Sequence, residues 1–123
     1  MAQTFPGSNN IPYFQKDGQF GSRLNGGKDA ASARYIFTKS HKLTRLLFRE
    51  EDDCLLERVI DDGDTVEPKY YLPIIPMILI NGCTGIGTGW SSSIPCYNPK
   101  DVVNRVKQWI KGETISEMTP WYN

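Results

Sequence analysis

The sequence predicts an α+β fold, and three observations carry that expectation. The first is a capped amphipathic helix pattern near the C-terminal end. The second is a two-residue hairpin signal, Asp62-Gly63, between two short strand patterns. The third is the stretch 2–34, whose Gly, Asn, Ser and Pro content reads mostly as loop. The chain has 123 residues, enough for about one domain.

Taken in order, the long N-terminal stretch holds five glycines from Gly7 to Gly27. A loop of that length is uncommon in a compact domain unless it is functional or ordered by a partner. A helix is expected over about Ser40 to Phe48, where Leu43, Leu46 and Leu47 share a face and Thr38 or Ser40 supplies the N-cap. The acidic turn Glu50-Glu51-Asp52-Asp53 follows. Leu55–Asp61 reads as a strand and Val66–Leu72 as its return, with Pro68 and Pro73 marking a short or edge strand. Met77–Asn81 is apolar and fits either strand or helix. Gly82, Gly85, Gly87 and Gly89 predict a tight glycine loop. In the last helix Asn98 is the N-cap, Pro99 the first residue and Gly112 the stop. Its stripe of Val102, Val103, Val106, Trp109 and Ile110 is expected to pack into a core.

Hydrophobic residues make up 39% and charged residues 23%, values of an ordinary globular chain. The longest apolar run, Ile74–Ile80, contains Pro76 and is too short to span a bilayer. Residues 1–4 carry no features of a secretory signal. Cys54, Cys83 and Cys96 form no C-x-x-C pair, and His41 is the only histidine. That argues against a structural zinc site and for a reducing compartment. Net charge is zero but uneven. Residues 1–50 hold eight Lys/Arg against three Asp/Glu, and residues 51–80 hold two against eight. This pattern suits one face presented to a polyanion; a chance imbalance on two solvated faces is the alternative.

Two segments have the residue types for chemistry. Residues 18–38, GQFGSRLNGGKDAASARYIFT, combine glycines with Arg23, Lys28 and Arg34, which are natural phosphate contacts. Tyr35 follows Arg34. A free tyrosine hydroxyl titrates near ~10, so a nucleophilic tyrosine needs positive charge close by. The alternative is a packing role beside Ile36 and Phe37. The segment 82–89, GCTGIGTG, lacks the Lys-Ser/Thr of a phosphate loop and the G-x-G-x-x-G fingerprint. Ile86 sits between glycines there, either as a wedge that enters a base step or as a side chain tucked beneath a turn. Asp52-Asp53 and Asp61-Asp62-Asp64 resemble metal ligands only in composition. His41 reads as a surface residue or a base, and no Ser-His-Asp arrangement can be assembled.

Several segments together resemble the eukaryotic type IIA DNA topoisomerase family. They are AQTFPGSNN, the 18–38 loop, RLLF at 45–48, EPKYYLPIIPMILING at 67–82, GIGTGW at 85–90 and the ending MTPWYN. Bacterial gyrase-type chains keep the Arg-Tyr pair but differ around it, so the eukaryotic or large-DNA-virus branch fits better. The resemblance implies that Tyr35 is the nucleophile that forms a 5′-phosphotyrosyl bond and that Arg34 stabilises the transition-state charge. It implies that Arg23 and Lys28 contact the DNA backbone and that Ile86 intercalates. It also implies a winged-helix part over 1–49 and the start of a tower domain over 50–123. Magnesium and ATP would bind domains outside this stretch, and this stretch alone would be inactive. Double-stranded DNA, a homodimer and a nuclear location follow by the same resemblance, with organellar or viral settings open. A non-catalytic DNA-binding or scaffold module that kept the loop is the alternative.

Overall fold

The computed structural model describes residues 1–123. Nine regular elements follow one another: β1 (Phe14–Asp17), β2 (Phe37–Ser40), α1 (Thr44–Leu47), β3 (Arg58–Asp61), β4 (Asp64–Pro68), α2 (Met77–Asn81), β5 (Cys83–Gly87), β6 (Trp90–Ile94) and α3 (Pro99–Ile110). The strands form three separate antiparallel hairpins, β1–β2, β3–β4 and β5–β6. The fold class is α+β, as expected.

The core is small. Leu47, Met77, Ile80 and Val102 form its centre, with Ile11, Tyr13, Phe48, Leu79, Tyr97 and Met118 among the side chains packed around it. It therefore draws on residues before and after position 50. Only eight of the 123 residues are buried, and the accessible surface is 9360 Å². A compact monomer of this mass exposes roughly 6,700 Å². The excess lies in the three hairpins and the end of α3, which project from the core.

Polar side chains tie the core together. The buried Asn10 donates through Nδ2 to the carbonyls of Ile80, Tyr97 and Trp121 at 2.9, 3.1 and 3.1 Å. Its Oδ1 accepts from the Asn123 N–H at 2.9 Å. Asn81 accepts from Ile11 N and donates to Ile11 O, both at 2.9 Å. Segments far apart in sequence thus meet through two asparagines, which satisfy backbone groups that no strand reaches.

Several elements differ from the sequence expectation. The stretch 2–34 contains strand β1, which pairs with β2 from Phe14↔Ser40 to Asp17↔Phe37. The partner strand lies across a loop of about twenty residues, so no local pattern announces it. The Ser40–Phe48 helix shrinks to one turn, because Thr38 and Ser40 are committed to β2. Neither residue caps it. Instead the His41 Nδ1 accepts from Leu43 N at 3.2 Å, a turn-forming role. The Asp62-Gly63 hairpin is present, with φ of 48° and 90° at the two turn residues. Its strands are shorter than expected and displaced. Glu50–Leu55 winds into a 3-10 helix, and the tight turn makes Asp64 the start of the return strand.

Met77–Asn81 is helical, and its glycine-rich continuation is a regular hairpin rather than a loop. Gly82 turns the chain into it with φ 69°. A Cβ there would lie 2.7 Å from the Ile94 carbonyl and 3.0 Å from the Cys96 sulfur, so only glycine fits. Asn98 caps α3 by accepting from Lys100 N at 2.9 Å. The apolar stripe of α3 is only partly buried. Val102 is buried, whereas Trp109 and Ile110 are 69% and 72% exposed, because the last turn runs past the end of the core.

Candidate active site and nucleic-acid interface

The β1–β2 connection is ordered from within. Gly27 N donates to Ser22 O at 2.9 Å, Gly26 N to Arg23 O at 3.1 Å, and Lys28 N to Asn25 O at 3.0 Å. Ala31 N donates to Gln19 O at 3.0 Å and closes the larger loop. The Asp29 carboxylate sits inside this frame. It accepts from Ser22 N at 2.8 Å and from the Gln19 side chain at 3.3 Å. The Ser22 N–H bond holds the Asp29 carboxyl below its ordinary value. Gly21 passes close over Gly27. A Cβ on Gly21 would lie 2.6 Å from the Gly27 Cα, and its φ is 93°. The loop glycines thus serve a crossing of backbone on backbone.

The chain leaves this frame through a 3-10 turn, Ala33–Tyr35, and enters β2 two residues later. Tyr35 N donates to Ser32 O at 2.9 Å. Ile36 is half-buried against Gly18, while the Tyr35 side chain is 66% exposed. Within this chain the Tyr35 ring enters no core. Arg34 stacks on that ring, its guanidinium carbon 5.0 Å from the centroid.

Arg23 and Lys28 stand exposed at the two ends of the same turn. Neither they nor Lys16, Arg34, Lys39 or Lys42 forms an ion pair. Three cations nearer the acidic stretch behave differently. Arg45 pairs with Asp53 and Arg49 with Glu51, each at 2.8 Å, and Lys69 pairs with Glu57. Arg49 draws the Glu51 carboxyl down to about 2. The cations of the Tyr35 loop and its strands are thus free, whereas Arg45, Arg49 and Lys69 are paired with carboxylates.

Ile86 lies on a separate hairpin. It faces Ser91 across the strands, next to the Gly87↔Trp90 pair that closes the turn, and is 91% exposed. Within this chain nothing covers it. The structure brings Arg34 and Tyr35 together, sets Arg23 and Lys28 in one turn, and carries Ile86 on a different arm. Sequence reasoning passed over Asp29 and Asn10. Asp29 had a local signal, a lone carboxylate inside a basic glycine loop. Asn10 had none, because its partners lie 70 to 113 residues away.

No group of three or more His, Cys, Asp or Glu side chains is arranged to hold a metal ion. The aspartates near the β3–β4 turn do not fit a magnesium site. The glycines of 82–89 lie in a two-stranded hairpin and form no phosphate cradle. No helix is long and apolar enough to cross a membrane.

The structure thus sets an exposed Arg-Tyr pair on a braced loop, amid unpaired cations in an α+β frame. The chain belongs to the DNA gyrase/topoisomerase IV family, in its A-type subunit, whose model matches residues 1–123. Within it, the similarity is to eukaryotic proteins. DNA topoisomerase 2 of Candida albicans is 56% identical over 122 residues, 99% of this chain and 8% of that protein. DNA topoisomerase 2 of Plasmodium falciparum is also 56% identical, with 99% of this chain and 9% of that protein covered. The structure of the Plasmodium falciparum topoisomerase II DNA-binding, cleavage and re-ligation domain superposes with a TM-score of 0.90 at 55% identity. It covers 99% of this chain and 17% of that one. The chain thus spans less than a tenth of the curated relatives it matches. The expected eukaryotic-type similarity is borne out.

Proposed function

We propose that this chain is the strand-cleaving segment of an ATP-dependent type II DNA topoisomerase. The observation that carries this reading is Tyr35, exposed at the rim of a braced loop with the unpaired Arg34 against its ring. The Tyr35 oxygen attacks a backbone phosphorus, the 3′ oxygen leaves as a hydroxyl, and a 5′-phosphotyrosyl bond replaces the bond broken. One phosphate ester is exchanged for another, so the reverse attack reseals the strand without outside energy. Arg34, bound to no carboxylate, is free to move onto the phosphate and offset the charge that builds in the transition state. Arg23 and Lys28 position the backbone, which carries no sequence information. Ile86 enters a base step, and the unstacking cost of a few kcal/mol is offset by contacts that bent DNA permits.

In this reading residues 1–49 finish a winged-helix domain and residues 50–123 begin a tower domain, although the two share one core. The complete enzyme acts as a homodimer on double-stranded DNA in the nucleus. Magnesium and ATP bind elsewhere in the polypeptide, so no step here is routed through them. The test uses the full-length protein with Tyr35→Phe. Covalent trapping of DNA should vanish while DNA binding stays near wild type. A Tyr35→Phe protein that still becomes linked to DNA shows that another residue is the nucleophile. This chain expressed alone should relax no supercoiled plasmid. Turnover by it would remove the need for the distant metal and ATP sites.

A further inference from the structure

The chain contains two Asn-Gly pairs, Asn25-Gly26 and Asn81-Gly82, and the fold treats them oppositely. An asparagine before glycine is prone to lose its side-chain amide, because no Cβ shields the glycine nitrogen. At Asn81 the fold suppresses this. The side chain is half-buried, and both its polar atoms are bound to Ile11 at 2.9 Å. At Asn25 little opposes it. The residue is exposed, and its side chain makes one long bond, 3.3 Å to the Ser22 hydroxyl, close to the Asp29 carboxylate. A Cβ placed on Gly26 would meet nothing within 4 Å. The Gly26 N–H is bonded to Arg23 O at 3.1 Å, but this is a single turn bond at the surface, of the kind that opens at low cost.

We propose that Asn25 is a spontaneous modification site that converts the basic turn to a charge-neutralised one. The Gly26 nitrogen attacks the Asn25 side-chain carbonyl carbon, forming a C–N bond. Ammonia leaves, carrying away the amide nitrogen and the proton from Gly26. The cyclic imide is then opened by water at either carbonyl, giving aspartate or its β-linked isomer. In sum one water is consumed and one ammonia released, and no oxidant is needed. The product places a carboxylate between Arg23 and Lys28. Its effect on DNA rests on the reading of this turn as a phosphate contact; the chemistry itself does not.

The experiment is peptide mapping by mass spectrometry of the full-length protein, folded and held at mildly alkaline pH. The Asn25 peptide should accumulate aspartate and isoaspartate while the Asn81 peptide stays intact. Gly26→Ala should slow the conversion by roughly tenfold or more, because a Cβ then obstructs the ring-closing nitrogen. Conversion at Asn81 as fast as at Asn25, or at neither, overturns the site. A second arm compares Asn25→Asp with Asn25→Gln in binding duplex DNA. The aspartate variant alone should bind severalfold more weakly at low salt, with the gap closing as salt rises. Equal affinities overturn the effect on DNA. Loss of the Asn25 result leaves the Tyr35 assignment standing, because covalent trapping reads that assignment separately.

Discussion

Two arms project from the same small core, and they are built on different principles. The arm that carries Tyr35 is closed by a short strand pair, and its loop is locked by Asp29 and by the crossing of Gly21 over Gly27. The arm that carries Ile86 is a plain hairpin, five residues to each strand, with no side-chain bond to stiffen it. On the proposed reading, a loop that holds a nucleophile and its cations in fixed relation needs internal bracing. The proposed wedge needs reach and one apolar side chain at the end of it. The two arms therefore predict different sensitivities: the first to residues that never touch DNA, the second chiefly to Ile86 itself.

The largest effect should come from the point both arms depend on. Asn10→Ala strands the carbonyls of Ile80, Tyr97 and Trp121, and unsatisfied buried groups of this kind cost about 2–4 kcal/mol together. Denaturant unfolding of the full-length protein should show the loss in the cooperative unit that contains this segment. A change within error would mean that solvent replaces Asn10, and the core would then not be what fixes the arms.

Next comes Gly21→Ala, which separates the arms. The new Cβ clashes with Gly27 backbone, and φ 93° is strained for alanine, a cost of about 1–3 kcal/mol confined to the loop. DNA cleavage should fall roughly tenfold or more, since small displacements of a reacting group are amplified in rate. DNA bending, measured by energy transfer between labelled ends, should stay near wild type. Equal losses in both assays would show that the arms are one unit.

Much of this division is visible in the residues, but unevenly. The Asp62-Gly63 turn and the Asn98-Pro99 helix start follow from local chemistry, and both are present. The β1–β2 pairing is not local: Phe14 meets Ser40 across the loop, and no neighbouring residue reports it. The short helix after it loses its expected start for the same reason, because a long-range pairing claims Ser40. Within the site, Arg34-Tyr35 and Ile86 each left two readings, and within this chain the Tyr35 and Ile86 side chains are both exposed. Trp109 and Ile110 show the converse. Their periodicity is that of a buried face, but the core ends before they reach it.

A smaller, graded effect belongs to Asp29. Its folded carboxyl is held low by Ser22 N–H, so its contribution to loop order is fully present above the unfolded value near ~3.9. It is lost as the pH falls through the folded value. Hydrogen exchange at the Ser22 amide should therefore lose protection in acid, below about pH 4. Asp29→Asn, which keeps an acceptor oxygen, should retain more protection than Asp29→Ala. Protection that is flat with pH in wild type would assign the loop's order to its glycine crossing alone.

The smallest effect on stability should be that of Ile86→Ala, and this is the sharpest test of the contrast. A buried isoleucine cut to alanine costs about 2–5 kcal/mol, because transfer and cavity terms add. Ile86 is 91% exposed, so it has neither term to lose, and the change should stay within about 0.5 kcal/mol. On the proposed wedge role, DNA bending should nevertheless drop clearly, and cleavage with it. The arm has no other bracing to disturb, so a functional loss without a stability loss points to the side chain itself. Normal bending with a large stability loss would place Ile86 in a packed interface of the complete protein, and the arm would then be a docking element.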